Sequence, residues 1–195
     1  MCGRFQFTAD DPDERIAAIL DILERTAPGG YALGEIGPGM AAPGVIARGT
    51  RLSPIPAVFG FTGREGKLLI NARSETAGEK PTFADCLSSR RIVLPANAFF
   101  EWSRETREKY RFTVPGLSFF YLGGLYRREG EETRFVILTR AANGDMAPVH
   151  HRMPLILGPE SVRPWLTREA EARALLAGEP PHLAAERASQ GKDFV

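Results

Sequence analysis

Short apolar runs cut apart by turn residues are what most constrains this chain. It carries 20 glycines and 15 prolines in 195 residues, and residues 29–66 are rich in both. Between such breakers the runs Gly44–Ala47 and Ala57–Phe61 are too short for helices but long enough for strands. The same reading gives strands at Arg4–Phe7, Leu68–Ile70 (a buried one), Ile92–Leu94 (ended by Pro95), Ala98–Trp102, Tyr110–Val114, Phe119–Tyr126, Arg134–Thr139 and Leu155–Leu157. The polar stretch Arg127–Glu132 between two of them reads as a hairpin turn. The expectation is a β-rich core with irregular connections.

Helical periodicity is confined to a few segments. Asp11 can cap a helix, Pro12 suits its first position and Glu14 completes a capping box. Ile16, Ile19, Leu20 and Leu23 then fall on one face, and Pro28-Gly29-Gly30 ends it. Pro81–Leu87, containing Cys86 as a small buried hydrophobe, Pro159–Leu166 and Thr167–Ala177 read as further short helices. Residues 178–195 are polar with weak periodicity and read as a loose tail. No repeat or linker divides the chain, so one domain over 1–195 is expected.

Composition excludes several function classes. Hydrophobic residues make up 43% and charged residues 25%, ordinary for a globular protein. No apolar run approaches a membrane span and no signal-peptide layout is present, so a cytoplasmic protein is expected. Two cysteines, Cys2 and Cys86, give neither a disulfide framework nor a four-ligand zinc spacing, so no metal or other cofactor is expected. A net charge of +1 argues against a global positive field for nucleic acid, while 21 arginines against 4 lysines allow local phosphate contacts.

Four stretches carry chemistry. In Met1-Cys2-Gly3-Arg4-Phe5, loss of Met1 would leave residue 2 with an α-amine and a thiol on adjacent carbons, a pair that captures aldehydes: the amine forms a Schiff base and the sulfur closes a thiazolidine ring. Both groups ordinarily titrate near neutrality, so modest local electrostatics would make each reactive. A cysteine that merely follows a start codon remains the alternative on these residues alone. Asn71-Ala72-Arg73-Ser74-Glu75-Thr76 supplies an amide, a guanidinium, two hydroxyls and a carboxylate directly after an apolar strand, reading either as a site at a strand end or as a capped turn. Glu101 sits among aromatics in Ala98-Phe99-Phe100-Glu101-Trp102. It is either a buried proton-transfer carboxylate or a residue on the wet face of a strand. His150-His151-Arg152 at a loop-to-strand junction lacks further metal ligands, which favours acid–base or phosphate-binding roles.

Together MCGRF at 1–5, NARSET at 71–76, PANAFFEW at 95–102 and VHHRMP at 149–154 resemble the SOS response-associated peptidase (SRAP) family, whose members process abasic sites in DNA. The similarity runs on through RRIVLPA at 90–96, LGGLY at 122–126 and RFVILTRAAN at 134–143, covering most of 1–166. The resemblance implies a single α+β domain with a twisted, barrel-like mixed β core, short flanking helices and a cleft for single-stranded DNA. It implies removal of Met1 by the protein's own peptidase activity, a thiazolidine DNA–protein crosslink at Cys2 and an abasic-site lyase activity. Carried over by motif, Asn71 orients the N-terminus or sugar, Glu101 moves protons around the Schiff base, His150 is the acid–base histidine, and Arg4, Arg73 and Arg152 contact phosphates. A monomer acting on abasic single-stranded DNA is expected. The chain departs from the family pattern at Phe59-Gly60, where Trp-Gly is usual, and at Ile92, Ala98 and Phe100, where cysteine, glycine and tyrosine are common. Two other classes stay open: an N-terminal-cysteine glutamine amidotransferase, predicting DNA-independent glutamine hydrolysis, and a non-catalytic DNA-binding module.

Overall fold

The computed structural model describes residues 2–9 and 13–188. In chain order the elements are β1 (Arg4–Phe7), α1 (Glu14–Thr26), β2 (Gly34–Ile36), β3 (Ala41–Arg48), β4 (Arg51–Phe59), β5 (Phe61–Thr62), β6 (Leu68–Leu69), β7 (Asn71–Arg73), α2 (Ala84–Ser89), β8 (Arg91–Ala96), β9 (Ala98–Trp102), β10 (Lys109–Thr113), β11 (Phe120–Glu129), β12 (Glu132–Ala141), β13 (Arg152–Pro154), β14 (Ile156–Leu157), α3 (Val162–Thr167), α4 (Glu169–Ala177) and β15 (Ala184–Arg187). Among the described residues no helix is long and apolar enough to cross a membrane.

The fold is α+β, with a mixed sheet as its core and short helices around it. Strands β12, β4, β3, β8 and β11 pair in that order and β11 returns to β12, so the sheet closes into a ring. Pairing is antiparallel except where β12 meets β4 and β7 in parallel. A second, antiparallel sheet runs β15-β10-β9-β1-β2. Phenylalanines join the two: Phe5 of β1 sets its edge against Phe59 and Phe135 of the ring at 6.1 and 6.5 Å, and Phe99 of β9 meets Phe120 at 6.4 Å. Such edge-to-face contacts bury large apolar areas in a favourable ring geometry.

The ring closes tightly around the LGGLY stretch. Gly124 lies opposite Ile92 on one side and Ile137 on the other, and a Cβ there would sit 2.6 Å from the Val136 carbonyl oxygen and 3.2 Å from the Ile92 side chain. Backbone cannot yield as a flexible side chain can. Gly124→Ala is therefore expected to destabilise the fold by about 1–3 kcal/mol through overpacking, read as a lowered urea midpoint at unchanged slope.

Several boundaries differ from those expected. Asp11 and Pro12 lie outside the described residues; the cap is Asp13, whose carboxylate accepts from the Arg15 amide. Its helix does bury Ile16, Ile19 and Leu23. Strands β3 and β4 outrun the short apolar segments because Pro54 and Pro56 are accommodated inside β4. That strand pairs with β12 only at Val58 and Phe59, leaving most of one edge without a ladder that needs their missing N–H groups. Pro95 likewise sits inside β8, beyond the Val93 and Ile92 pairs that β3 makes. Leu68 and Leu69 are not buried: they form a two-residue edge hairpin with β5 and are 37% and 39% exposed. The supposed tail contributes β15, paired with β10 over four residues, while residues 189–195 lie outside the described set.

Candidate functional site

Strand β12 organises the site. Strand β7 runs parallel to it with Asn71 opposite Ile137 and Arg73 opposite Thr139, and β13 lies antiparallel with Arg152 opposite Ala141. The NARSET stretch therefore starts as a strand rather than following one, and becomes a turn at Ser74, whose amide donates to the Thr139 carbonyl.

Cys2 precedes β1 and is fully buried. Asn71 reaches it across 69 residues of sequence: its Nδ2 donates to the Cys2 carbonyl at 3.0 Å. The Asn71 Oδ1 is buried and finds no hydrogen-bond partner among the described residues. On the other side, β1 pairs with β9 in the register Arg4 to Phe100, which brings Glu101 alongside the N-terminal segment. Glu101 is 3% exposed, so the wet-face alternative is excluded. Burial first, and then the negative charge of Glu101, push the Cys2 thiol far above its ordinary range. In this chain, which retains Met1, the thiol is held as S–H and donates toward the Arg4 carbonyl at 3.9 Å; the expectation of a thiol titrating near neutrality concerns the form without Met1.

His150 enters from the loop before β13. It is 8% exposed, and its Nδ1 lies 3.0 Å from the backbone N of Arg152 and 3.1 Å from that residue's carbonyl oxygen. The N–H fits an accepting Nδ1 and the carbonyl fits a donating one, so the two contacts suit opposite tautomers of the ring. The exposed His151 ring lies against it, tilted by 31° with centroids 4.5 Å apart. Partial desolvation, and then the charges of His150 and Arg104, lower the His151 pKa.

The three carried-over arginines are not equivalent. Arg73 is exposed, and its guanidinium makes no ion pair among the described residues. Arg4 is half-exposed and meets Glu35 at 3.2 Å, a carboxylate shared with Lys109. Arg152 is almost covered, and a forked pair to Glu75 at 2.6 and 2.8 Å engages both terminal nitrogens. Its Nη2 also donates to the Thr139 carbonyl at 2.6 Å. Sequence reading missed Glu75 and Thr139 as site members; Glu75 lay within a motif but only a long-range partner distinguishes it. It also left Trp102 unassigned, a 37% exposed ring one residue past Glu101 with the Lys109 ammonium 5.5 Å from its centre. Among the described residues no group of three or more His, Cys, Asp or Glu could hold a metal ion.

Fold and site together define a protein built around a buried cysteine at position 2. Residues 1–189 match the family model of the SOS response associated peptidase (SRAP), and the chain belongs to that family. It is 30% identical over 186 residues to the abasic site processing protein YedK of Escherichia coli K12, covering 89% of this chain and 82% of YedK. It is 38% identical over 109 residues to the abasic site processing protein YoqW of Bacillus subtilis 168, a match spanning 52% of this chain and about half, 49%, of YoqW. Crystal structures of proteins from Bacteroides thetaiotaomicron and Bordetella bronchiseptica share the fold, with TM-scores of 0.74 and 0.75 at 20% and 21% identity. They cover 97% and 96% of this chain and 93% and 100% of their own.

Proposed function

We propose that this chain processes abasic sites by capturing single-stranded DNA covalently at Cys2 once Met1 has been removed. The observation that carries the reading is the Asn71 amide holding the Cys2 carbonyl while Glu101 lies buried beside the same thiol. Relatives named as abasic site processing proteins support the substrate class.

The chemistry balances without an external reagent. The α-amine of Cys2 adds to the aldehyde carbon of the ring-opened sugar, and loss of one water gives the imine. Sulfur then adds to that carbon while the S–H proton passes to nitrogen, closing the thiazolidine. A thiol kept protonated until the imine forms suits this order, with Glu101 as the proton carrier between sulfur and nitrogen. His150, acting in its imidazolium form, gives a proton to the sugar oxygen in ring opening and returns to the neutral ring, and reversal or strand elimination uses the same groups in the opposite sense. Arg73 and Arg4 hold phosphates and Trp102 offers a stacking face, a combination that binds single strands without reading sequence. The self-processing peptidase step is assigned to the same centre. A glutamine amidotransferase would instead want a thiol of depressed pKa.

The test is the intact mass of purified protein mixed with a single-stranded oligonucleotide bearing one abasic site. The expected product is protein lacking Met1 plus the oligonucleotide less one water. Met1-free protein that forms no adduct, or that reacts equally with undamaged DNA, overturns the proposal.

A further inference from the structure

Arg104 lies beside the site and has no carboxylate partner among the described residues. It is exposed, and its Nη1 meets Nδ1 of the exposed His151, 47 residues further along the chain, at 3.3 Å. We infer that Arg104 and His151 together form a further phosphate subsite, which takes a second backbone phosphate of the bound single strand. The inference rests on the reading that seats the abasic sugar at His150.

The chain holds this cation on a turn fixed by its own hydrogen bonds. Strand β9 ends at Trp102 and β10 starts at Lys109, so residues 103–108 reverse the chain. Ser103 is buried, and its Oγ accepts from the amides of Glu105 and Thr106 at 3.3 and 3.2 Å, the local device by which serine sets a turn. The Ser103 carbonyl takes the Arg107 amide, and the Ser103 amide donates to the Glu108 carbonyl. Arg107 closes the turn at φ 62°, a left-handed conformation that few residues other than glycine hold. The turn's carboxylates do not neutralise Arg104: Glu108 meets Thr106 and Arg187, and Glu105 makes no described contact with Arg104 or His151.

Charge then decides what the pair can bind. Arginine donates and never accepts, so an imidazole nitrogen satisfies one N–H without cancelling the guanidinium charge. Partial desolvation, and then the charges of His150, Arg104, the N-terminus and Arg152, lower the His151 pKa, with no carboxylate offsetting them. A fork of N–H donors beside such an imidazole suits the paired oxygens of a phosphate.

The position also fits the path of a strand across β12. Thr139 gives its carbonyl to the Ser74 amide and Leu138 gives its own to the Leu155 amide. Successive residues of a strand present their backbone groups to opposite edges, so β7 and β13 line the two edges of β12. Arg73 belongs to the first edge. His151 immediately precedes β13 on the second, one ring away from His150. A nucleotide seated over β12 has a phosphate on each side of its sugar, so the Arg104–His151 pair takes the phosphate on the side away from Arg73.

The experiment measures binding of the full chain to a single-stranded oligonucleotide with one tetrahydrofuran residue, an abasic analogue without an aldehyde. Further versions of the probe each replace one phosphate with a neutral methylphosphonate. On the all-phosphate probe, Arg104→Gln is expected to weaken binding about three- to tenfold and His151→Ala about threefold. Arg104→Gln should also reduce the slope of log K against log salt by about 0.7, one phosphate's share on a single strand. At one methylphosphonate position the Arg104→Gln loss should shrink to within about twofold, and that position should differ from the one that cancels the Arg73→Gln loss. Both Arg104 and His151 are exposed, so melting temperatures should stay within about 2 °C of wild type, and misfolding does not imitate the result. An unchanged salt slope overturns the inference. So does an Arg104→Gln loss that no single methylphosphonate cancels, which would make Arg104 part of a diffuse field, or one cancelled at the Arg73 phosphate. The probe cannot be captured covalently, so a wild type that binds it through the mapped phosphate yet forms no adduct with an aldehyde-bearing strand overturns the proposed function and leaves the subsite standing.

Discussion

Cys2→Ala is expected to bind abasic single-stranded DNA as the wild type does and to form no adduct that survives heating in denaturant. In variant protein whose intact mass shows Met1 removed, the α-amine, the Asn71 hydrogen bond to the residue 2 carbonyl and the arginines are all kept, so binding and imine formation remain possible. The variant lacks the sulfur that converts a hydrolysable imine into a closed ring. Borohydride reduction during the reaction should therefore trap the alanine variant, while omission of borohydride should leave none. The comparison separates the two halves of the reagent. A heat-stable adduct from Cys2→Ala without reductant would remove the thiol from the chemistry; failure of trapping in the folded variant would remove the amine. The substitution deletes one sulfur from a fully buried position, so a modest stability loss of about 1 kcal/mol is expected, too little to unfold the chain and mimic the result.

The residues proposed to carry the chemistry stand out in the sequence because each breaks a local pattern. Cys2 follows the initiator, Asn71 interrupts an apolar run and Glu101 stands among aromatics. What gathers them was not legible, since contacts such as Asn71 to Cys2 join residues 69 apart in the chain and leave no periodicity behind. Most strands were found from alternation, but Pro54, Pro56 and Pro95 hid the lengths of β4 and β8. Proline is a breaker only where a ladder needs its N–H, and which edges lack a neighbour is a tertiary fact. Leu68 and Leu69 failed for the converse reason: two leucines signal burial, but a two-strand edge hairpin has only one side to bury. Phe59 shows a family position refitted to the core. It is wholly buried and stacked on Phe135 at 4.9 Å with 3° between the rings, so no aromatic projects from this position toward DNA.

The arginine excess divides in the same way, and Arg91 shows how far charge can mislead. Beside Arg90 in RRIVLPA it has the composition of a phosphate site, yet it is 5% exposed. Its donors go to four carbonyls: Leu87 and Ser88 at the end of α2, at 2.7 and 2.5 Å, and Trp165 and Leu166 at the end of α3, at 2.5 and 3.4 Å. The last carbonyls of a helix have no partner within it, and their partial negative charge favours a cation. One guanidinium thus closes two helices and ties both to β8. Arg91→Met fills much of the same volume but leaves those acceptors buried and bare. Each charged hydrogen bond contributes about 1.5–3 kcal/mol, and because the acceptors are neighbours the losses overlap, giving an expected total of about 3–5 kcal/mol. At ~2–4 °C per kcal/mol for a domain of this size, the melting temperature should fall by roughly 6–20 °C. Below that lowered transition, binding to undamaged single-stranded DNA should keep its salt dependence, because no phosphate contact has gone. A melting temperature within about 2 °C of wild type would mean that water replaces the guanidinium at no cost, and a flattened salt dependence would return Arg91 to the DNA surface.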